Sequence, residues 1–196
     1  MKNFKDMLAK LVFAVLLMSG GGQALATPSY IVSIDTSTLG TGPAYLGLYF
    51  GALAGAADAT AIVSNLSGAF VGPAAITGPV SGVLPGPLAF GNANGGSDLV
   101  QGITLGGMFS FDLSFILGTG DIGSTFGWAL FSDTAYLGAE GDLGTVSLQP
   151  GAAVNNLYVL ANASALSSVQ VIPEPSTVAL LLFAGLLMVM SVRRQR

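Results

Sequence analysis

The chain contains no cysteine and no histidine. The first absence removes disulfide bridges, thiolate nucleophiles, cysteine-ligated zinc and any lipid anchor on a cysteine; the second removes the imidazole used in most general acid–base pairs and many metal sites. Basic residues are nearly as scarce. All six lie at the ends, as Lys2, Lys5, Lys10, Arg193, Arg194 and Arg196, so residues 27–172 carry none. The same 146 residues hold Asp35, Asp58, Asp98, Asp112, Asp121, Asp133, Glu140 and Asp142, a formal charge of −8. A surface of that sign repels nucleic acid, phosphate groups and anionic lipid, so nucleic acid is not expected as a partner. What the chain has in abundance is apolar side chains, 52% of 196 residues against 8% charged, enough for one domain with a substantial core.

The N-terminal segment has the three parts of an export signal. Lys2, Lys5 and Lys10 form a positive start, Leu11 to Met18 is unbroken apolar sequence, and Ala24-Leu25-Ala26 places small residues at the two positions a signal peptidase reads. The expected cut falls between Ala26 and Thr27, with Ala24 and Ala26 as the recognised residues. Only eight apolar residues precede Ser19-Gly20-Gly21-Gly22, too few to cross a bilayer, which argues against a permanent anchor.

The C-terminal segment is the most specific feature. Val178 to Met190 is wholly apolar, and extension from Ser176 to Val192 gives seventeen residues, roughly 25 Å as a helix. That length just reaches across a thin bilayer. Pro173-Glu174-Pro175 stands immediately before it, where Pro175 suits a helix start, and Arg193-Arg194-Gln195-Arg196 ends it with positive charge. With both tails cationic and the middle free of Lys and Arg, the positive-inside rule puts the ends in the cytoplasm and the middle across the membrane.

Val171-Ile172-Pro173-Glu174-Pro175-Ser176-Thr177, an apolar span and an Arg-rich end together resemble the PEP-CTERM sorting signal of Gram-negative bacteria that make extracellular polysaccharide. The resemblance covers about the last 26 residues. It implies that Pro173, Glu174 and Pro175 are recognised by a membrane-embedded exosortase, which cleaves near them and passes the protein on. It likewise implies that Arg193, Arg194 and Arg196 act as a retention signal. The competing reading is an ordinary single-span anchor with a proline-rich stalk, in which Glu174 is merely solvated. Tyr30 to Ser37, Phe109 to Phe115 and Gly123 to Phe126 are also similar, less specifically, to the ectodomain of an uncharacterised PEP-CTERM protein family, which implies a surface β-domain and no activity.

The middle, residues 27–172, reads as strands. Phe109, Phe111, Leu113, Phe115 and Leu117 alternate with Ser110, Asp112, Ser114 and Ile116, the two-residue period of a half-buried antiparallel strand. Further strands are expected at Tyr30–Asp35, Ala44–Phe50, Ala59–Leu66, Ser124–Phe131, Gly144–Leu148, Asn156–Leu160 and Leu166–Ile172. Ala52–Ile62 is Ala-rich and offers a turn or two of helix. Turns are expected at Gly42-Pro43, Gly72-Pro73, Gly78-Pro79, Gly86-Pro87, Asn94-Gly95-Gly96 and Pro150-Gly151. Gly72 to Gly96, rich in Pro and Gly and uncharged, also admits a low-complexity loop reading. The natural packing solution for some eight short strands is a single antiparallel β-sandwich or jelly-roll-like domain.

Four constellations bear on chemistry. Gly118-Thr119-Gly120-Asp121-Ile122-Gly123 spells a dinucleotide fingerprint, but Ser124–Phe131 continues as a strand where a helix N-terminus is needed, so it reads as a hairpin loop. The carboxylates Asp112, Asp121, Asp133, Glu140 and Asp142 are the residue type of glycoside hydrolysis, which needs two of them held across a cleft. Calcium suits the same oxygens better: Asp98 with Asn92 and Asn94, or Asp121 with Asp133 and Glu140-Gly141-Asp142, are candidate loops, though no EF-hand string occurs. Trp128, Tyr45, Tyr49, Tyr136 and Tyr158 are the candidate sugar-stacking rings, with Trp128 expected in the core and Tyr136 exposed. Asn65-Leu66-Ser67 and Asn162-Ala163-Ser164 match the glycosylation sequon by chance spacing.

The expectation is therefore an all-β protein with a signal peptide at 1–26, a sandwich ectodomain at 27–172 and a PEP-CTERM signal with one transmembrane helix at 173–196. It is a non-enzymatic surface or extracellular-matrix component of biofilm or envelope, without a cofactor unless the acidic loops take calcium. A carbohydrate-binding module is the alternative, and a carboxylate glycan hydrolase the third reading. Its partners are the Sec translocon, signal peptidase, an exosortase-type membrane protease and, under the alternative, extracellular polysaccharide. It is anchored transiently in the inner membrane with the ectodomain in the periplasm before reaching the cell surface or exterior.

Overall fold

The computed structural model describes residues 28–119, 123–149 and 158–172. Ala24 and Ala26, the Pro173-Glu174-Pro175 motif, the apolar span with Arg193, Arg194 and Arg196, and Asp121 and Pro150-Gly151 lie outside the described residues. Among the described residues no helix is long and apolar enough to cross a membrane.

Twelve strands are described: β1 Ser29–Asp35, β2 Pro43–Ala52, β3 Ala59–Ser67, β4 Phe70–Thr77, β5 Val80–Ser81, β6 Leu88–Gly91, β7 Gly96–Thr104, β8 Met108–Leu117, β9 Ser124–Phe131, β10 Asp142–Leu148, β11 Tyr158–Asn162 and β12 Ser167–Ile172. They form two six-stranded antiparallel sheets, β12-β1-β8-β3-β6-β5 (the first) and β11-β10-β9-β2-β7-β4 (the second), stacked as a sandwich. The pairing is nested: β1 with β8, β2 with β7 and β3 with β6, alternating between sheets.

Alternation dictates the core. In β8, Phe109, Phe111, Leu113 and Phe115 are buried while Ser110, Asp112 and Ser114 face outward. Phe126, Trp128 and Leu130 of β9 are buried from the opposite sheet. The rings meet edge-on, Phe111 against Trp128 at 6.0 Å and 80° and Phe90 against Phe126 at 5.6 Å and 84°, the geometry that aromatic quadrupoles favour. The Trp128 indole N–H donates to Ser167 Oγ at 3.0 Å, so the largest core side chain leaves no buried donor unpaired.

Several expectations are corrected. Gly72-Pro73 is no turn but part of β4, and Gly72–Gly96 is no low-complexity loop: it holds most of β4 and all of β5 and β6, with Leu88 and Phe90 fully buried. Proline is tolerated because β4 is an edge strand whose register shifts between Val71 and Ala75. The Gln101 amide repairs the bulge by donating to the carbonyls of Val71 and Gly72 at 3.1 and 3.2 Å. Ala52–Ile62 holds no helix; it ends β2, turns, and enters β3. Gly118 to Gly123 does not join a hairpin either, because β8 and β9 on its two sides belong to different sheets.

Candidate functional site: an aromatic and acidic outer face

The two-residue period of β2 sends Leu46, Leu48 and Phe50 inward and leaves Tyr45, Gly47 and Tyr49 on the outer face of the second sheet. In β9 the same rule turns Gly127, Ala129 and Phe131 to that face, where Phe131 is part-exposed and Gly127 and Ala129 are covered. The register then sets Tyr45 opposite Phe131, Gly47 opposite Ala129 and Tyr49 opposite Gly127. Phe131 and Tyr49 each have a glycine to lie over. A Cβ at Gly47 would stand 3.1 Å from the Phe131 ring, and one at Gly127 would collide with the Tyr49 phenol.

Tyr45 stacks on Phe131 with ring centroids 5.5 Å apart and planes 25° from parallel. Tyr136 closes the cluster edge-on to Phe131 at 6.2 Å and 66°, and is 57% exposed. Its position follows from a tight turn after β9. Ser132 N–H donates to Ala135 C=O at 2.8 Å, Ser132 Oγ accepts from Ala135 N–H at 3.2 Å, and Leu137 N–H donates to Leu130 C=O at 2.8 Å. Beyond it, Leu137 packs on the core and Ser164 Oγ donates to Gly138 C=O at 2.7 Å, so the loop is held at both ends.

Carboxylates ring the cluster. The Tyr49 hydroxyl donates to Asp142, two strands away. Burial pushes the Tyr49 phenol well above its ordinary range, and the Asp142 carboxylate adds to the shift as acceptor and as a like charge to any phenolate. Asp133, in the turn, raises the Tyr45 phenol by the same two effects. Glu140, Asp142, Thr145 and Ala161 line an open groove across β10 and β11, and its Asp142 is the acceptor of the Tyr49 hydroxyl. Because no Lys or Arg occurs in residues 27–172, these acids have no cation from the domain beside them.

This geometry sorts the candidate residues. Tyr45, Tyr49, Tyr136, Asp133, Glu140 and Asp142 gather on one face, whereas Trp128 is fully buried as expected. Tyr158 is half-buried against Phe115 at 5.8 Å, on the inner side. Asp112 lies on the outer face of the first sheet, where it accepts from the Asn65 amide at 2.6 Å, and so is separated from Asp133 and Asp142 by the sandwich. The Asn92 calcium set is not assembled, because the Asn92 side chain is turned into the core. Its Oδ1 accepts from Ala59 N–H at 3.0 Å, and its Nδ2 donates to Ala57 C=O at 2.8 Å and Ser124 Oγ at 3.0 Å. Among the described residues no three acidic side chains converge as metal ligands.

Sequence reasoning missed Phe131 as a member of the exposed cluster and Gly47 and Gly127 as its floor. Only the spacing Tyr45-x-Gly47-x-Tyr49 hinted at it. No family model, no curated protein and no solved structure matches the chain.

Proposed function

We propose that the protein is an exported surface or extracellular-matrix component, sorted through a PEP-CTERM signal by an exosortase-type system, and that it serves a structural role without catalysing a reaction. The observation that carries the reading is where the strands begin and end. The described strands run from β1 at Ser29 to β12 at Ile172, so a signal-peptidase cut after Ala26 and a cut near Pro173-Glu174-Pro175 both spare every described strand. Ser29 is also the direct partner of Ile172. The chain thus enters and leaves the domain at one pole, which suits a precursor whose two tails insert in the same inner membrane before release to the surface. The nested pairing supports a jelly-roll-like description of the ectodomain.

The edges support a structural role. On one side the sheets end in β4, which carries Pro73 and a bulge, and in the two-residue β5, both poor templates for pairing. On the other side they end in β11 and β12, which contain no proline and no charge and expose Val159, Leu160, Val171 and Ile172. Assembly of copies through that side is the expected outcome.

Two experiments test the parts separately. Glu174→Ala, with the span intact, should leave uncleaved protein in the inner membrane of an exosortase-bearing Gram-negative host; unchanged processing overturns the sorting assignment. Sedimentation of the released domain should show association that rises with concentration, and a monomer at every concentration overturns the structural role.

A further inference from the structure

We propose that the outer face of the second sheet, centred on Tyr45, Phe131 and Tyr136, binds a glycan chain built of uncharged or amino-bearing sugars. The inference is independent of the sorting reading and goes beyond it, since it assigns a ligand to a particular face.

Three observations carry it. The rings are fixed before any ligand arrives. Tyr45 and Phe131 are stacked 5.5 Å apart, and Tyr136 is set edge-on by a turn closed with backbone hydrogen bonds. A preordered, partly exposed ring costs little conformational entropy on binding and presents the flat apolar surface that the C–H face of a pyranose covers. Next to the rings stand acceptors for sugar hydroxyls: Asp133 in the turn, Asp142 beside Tyr49, and Glu140 with Thr145 in the groove that extends the face toward β11. A chain of linked sugars matches that elongated layout better than a single compact ligand does.

Charge then selects among the possible occupants. With Asp133, Glu140 and Asp142 around it and no cation in residues 27–172, the face repels uronic-acid polymers, phosphate-bearing glycans and nucleic acid. It repels a second copy of itself for the same reason, which separates it from the uncharged β11 and β12 edges proposed for assembly. An amino group on the sugar gains most, from the carboxylates and from the electron-rich ring faces. A neutral sugar gains the stacking and the hydroxyl acceptors without the charge term.

The test titrates the full-length chain, held in neutral detergent micelles, with five hexamers: glucosamine, N-acetylglucosamine, cellohexaose, galacturonate and lysine. Calorimetry should register binding of the amino or the neutral sugars, and the difference between those arms tells which source the face prefers. Galacturonate should not bind. Tyr136→Ala should weaken sugar binding about tenfold, the scale of one lost aromatic contact at its upper end. Ser114→Ala, on the opposite outer face, should leave it unchanged, and a retained melting transition establishes that each variant is folded. Tyr45→Ala supplies a second removal from the same face. The proposal is overturned if no sugar binds, if galacturonate binds as well as the others, or if hexalysine competes as tightly as the glucosamine hexamer. It is equally overturned if neither tyrosine variant changes the affinity.

Discussion

Ser33, Ser110 and Ser114 on the outer face of the first sheet occupy the same alternating positions as Tyr45, Tyr49 and Phe131 on the outer face of the second. Ser33 lies directly opposite Ser110, small side chain against small side chain, whereas Tyr49 lies opposite Gly127 and Tyr45 opposite Phe131. The inner faces do not differ in this way: both are mainly large aliphatic and aromatic side chains, buried. The period of two decides which half of each strand is inside, and leaves the outer half free to differ. On the first sheet that freedom is used for small hydroxyls and scattered aliphatics such as Ile116, with no aromatic ring among them and Asp112 tied to Asn65. On the second it is used for rings laid over glycine, with acids around them. A face built from fitted ring and floor pairs is a constructed surface, and this is why a ligand is assigned to it and none to its counterpart.

The comparison can be broken or sharpened by substitution. The largest effect is expected where the two sheets are alike. Trp128→Ala removes a fully buried ring that touches Phe111 across the sandwich, and should cost about 3–5 kcal/mol in a urea unfolding experiment. Asn92→Ala comes next. Its amide joins Ala59 of β3 in the first sheet to Ser124 of β9 in the second, and its loss leaves buried groups unpaired at about 1–3 kcal/mol in the same assay. Gly127→Ala addresses the outer face alone. The new methyl group must displace the Tyr49 ring, breaking its contact with Asp142, for about 1 kcal/mol of stability. Tyrosine absorbance should then report a phenol returning toward its ordinary range. Ser110→Ala, on the first sheet, should change stability by no more than about 0.5 kcal/mol. Equal costs for Gly127→Ala and Ser110→Ala would contradict the account of the second face as fitted.

Alkaline pH separates the tyrosines in the same spirit. Burial pushes the Tyr30 phenol up to about 12, with a smaller push from Tyr158, and Tyr45, Tyr49 and Tyr158 are also raised. A phenol whose pKa is higher folded than unfolded keeps its proton longer in the native state, so the native state binds more protons above about pH 10. Stability should therefore be level below about pH 10 with respect to these groups, and fall as pH rises from there through about 12. Tyr49→Phe should flatten part of that fall. A stability that rises over this window would contradict the assigned environments.

How much of this was legible in the sequence varied with how cleanly the alternation was written. β8 and β9 were readable because nearly every inward position is large and apolar, Ser124 at the start of β9 excepted. β7 was not, because Ser97 and Gln101 stand at inward positions and break the pattern; their partners, the Gly91 carbonyl and the carbonyls around the β4 bulge, exist only in the folded chain. β4 was hidden by Pro73, which is a strand breaker unless the strand is an edge with a bulge. The acids and tyrosines of the candidate site were each visible, but their meeting was not. Tyr45 and Tyr136 are 91 positions apart, and nothing short of the β2 and β9 register places them on one face. Trp128 was legible as core because Phe126 and Leu130 flank it at spacing two.

The proposed function depends on the domain being released from two membrane-inserting tails. The measurement that bears on it most directly is peptide mapping and intact mass of the protein recovered from outside an exosortase-bearing Gram-negative cell. The expected product begins at Thr27 and yields no peptide from residues 176–196. Recovery of a chain that keeps both tails, or of none outside the inner membrane, would contradict it.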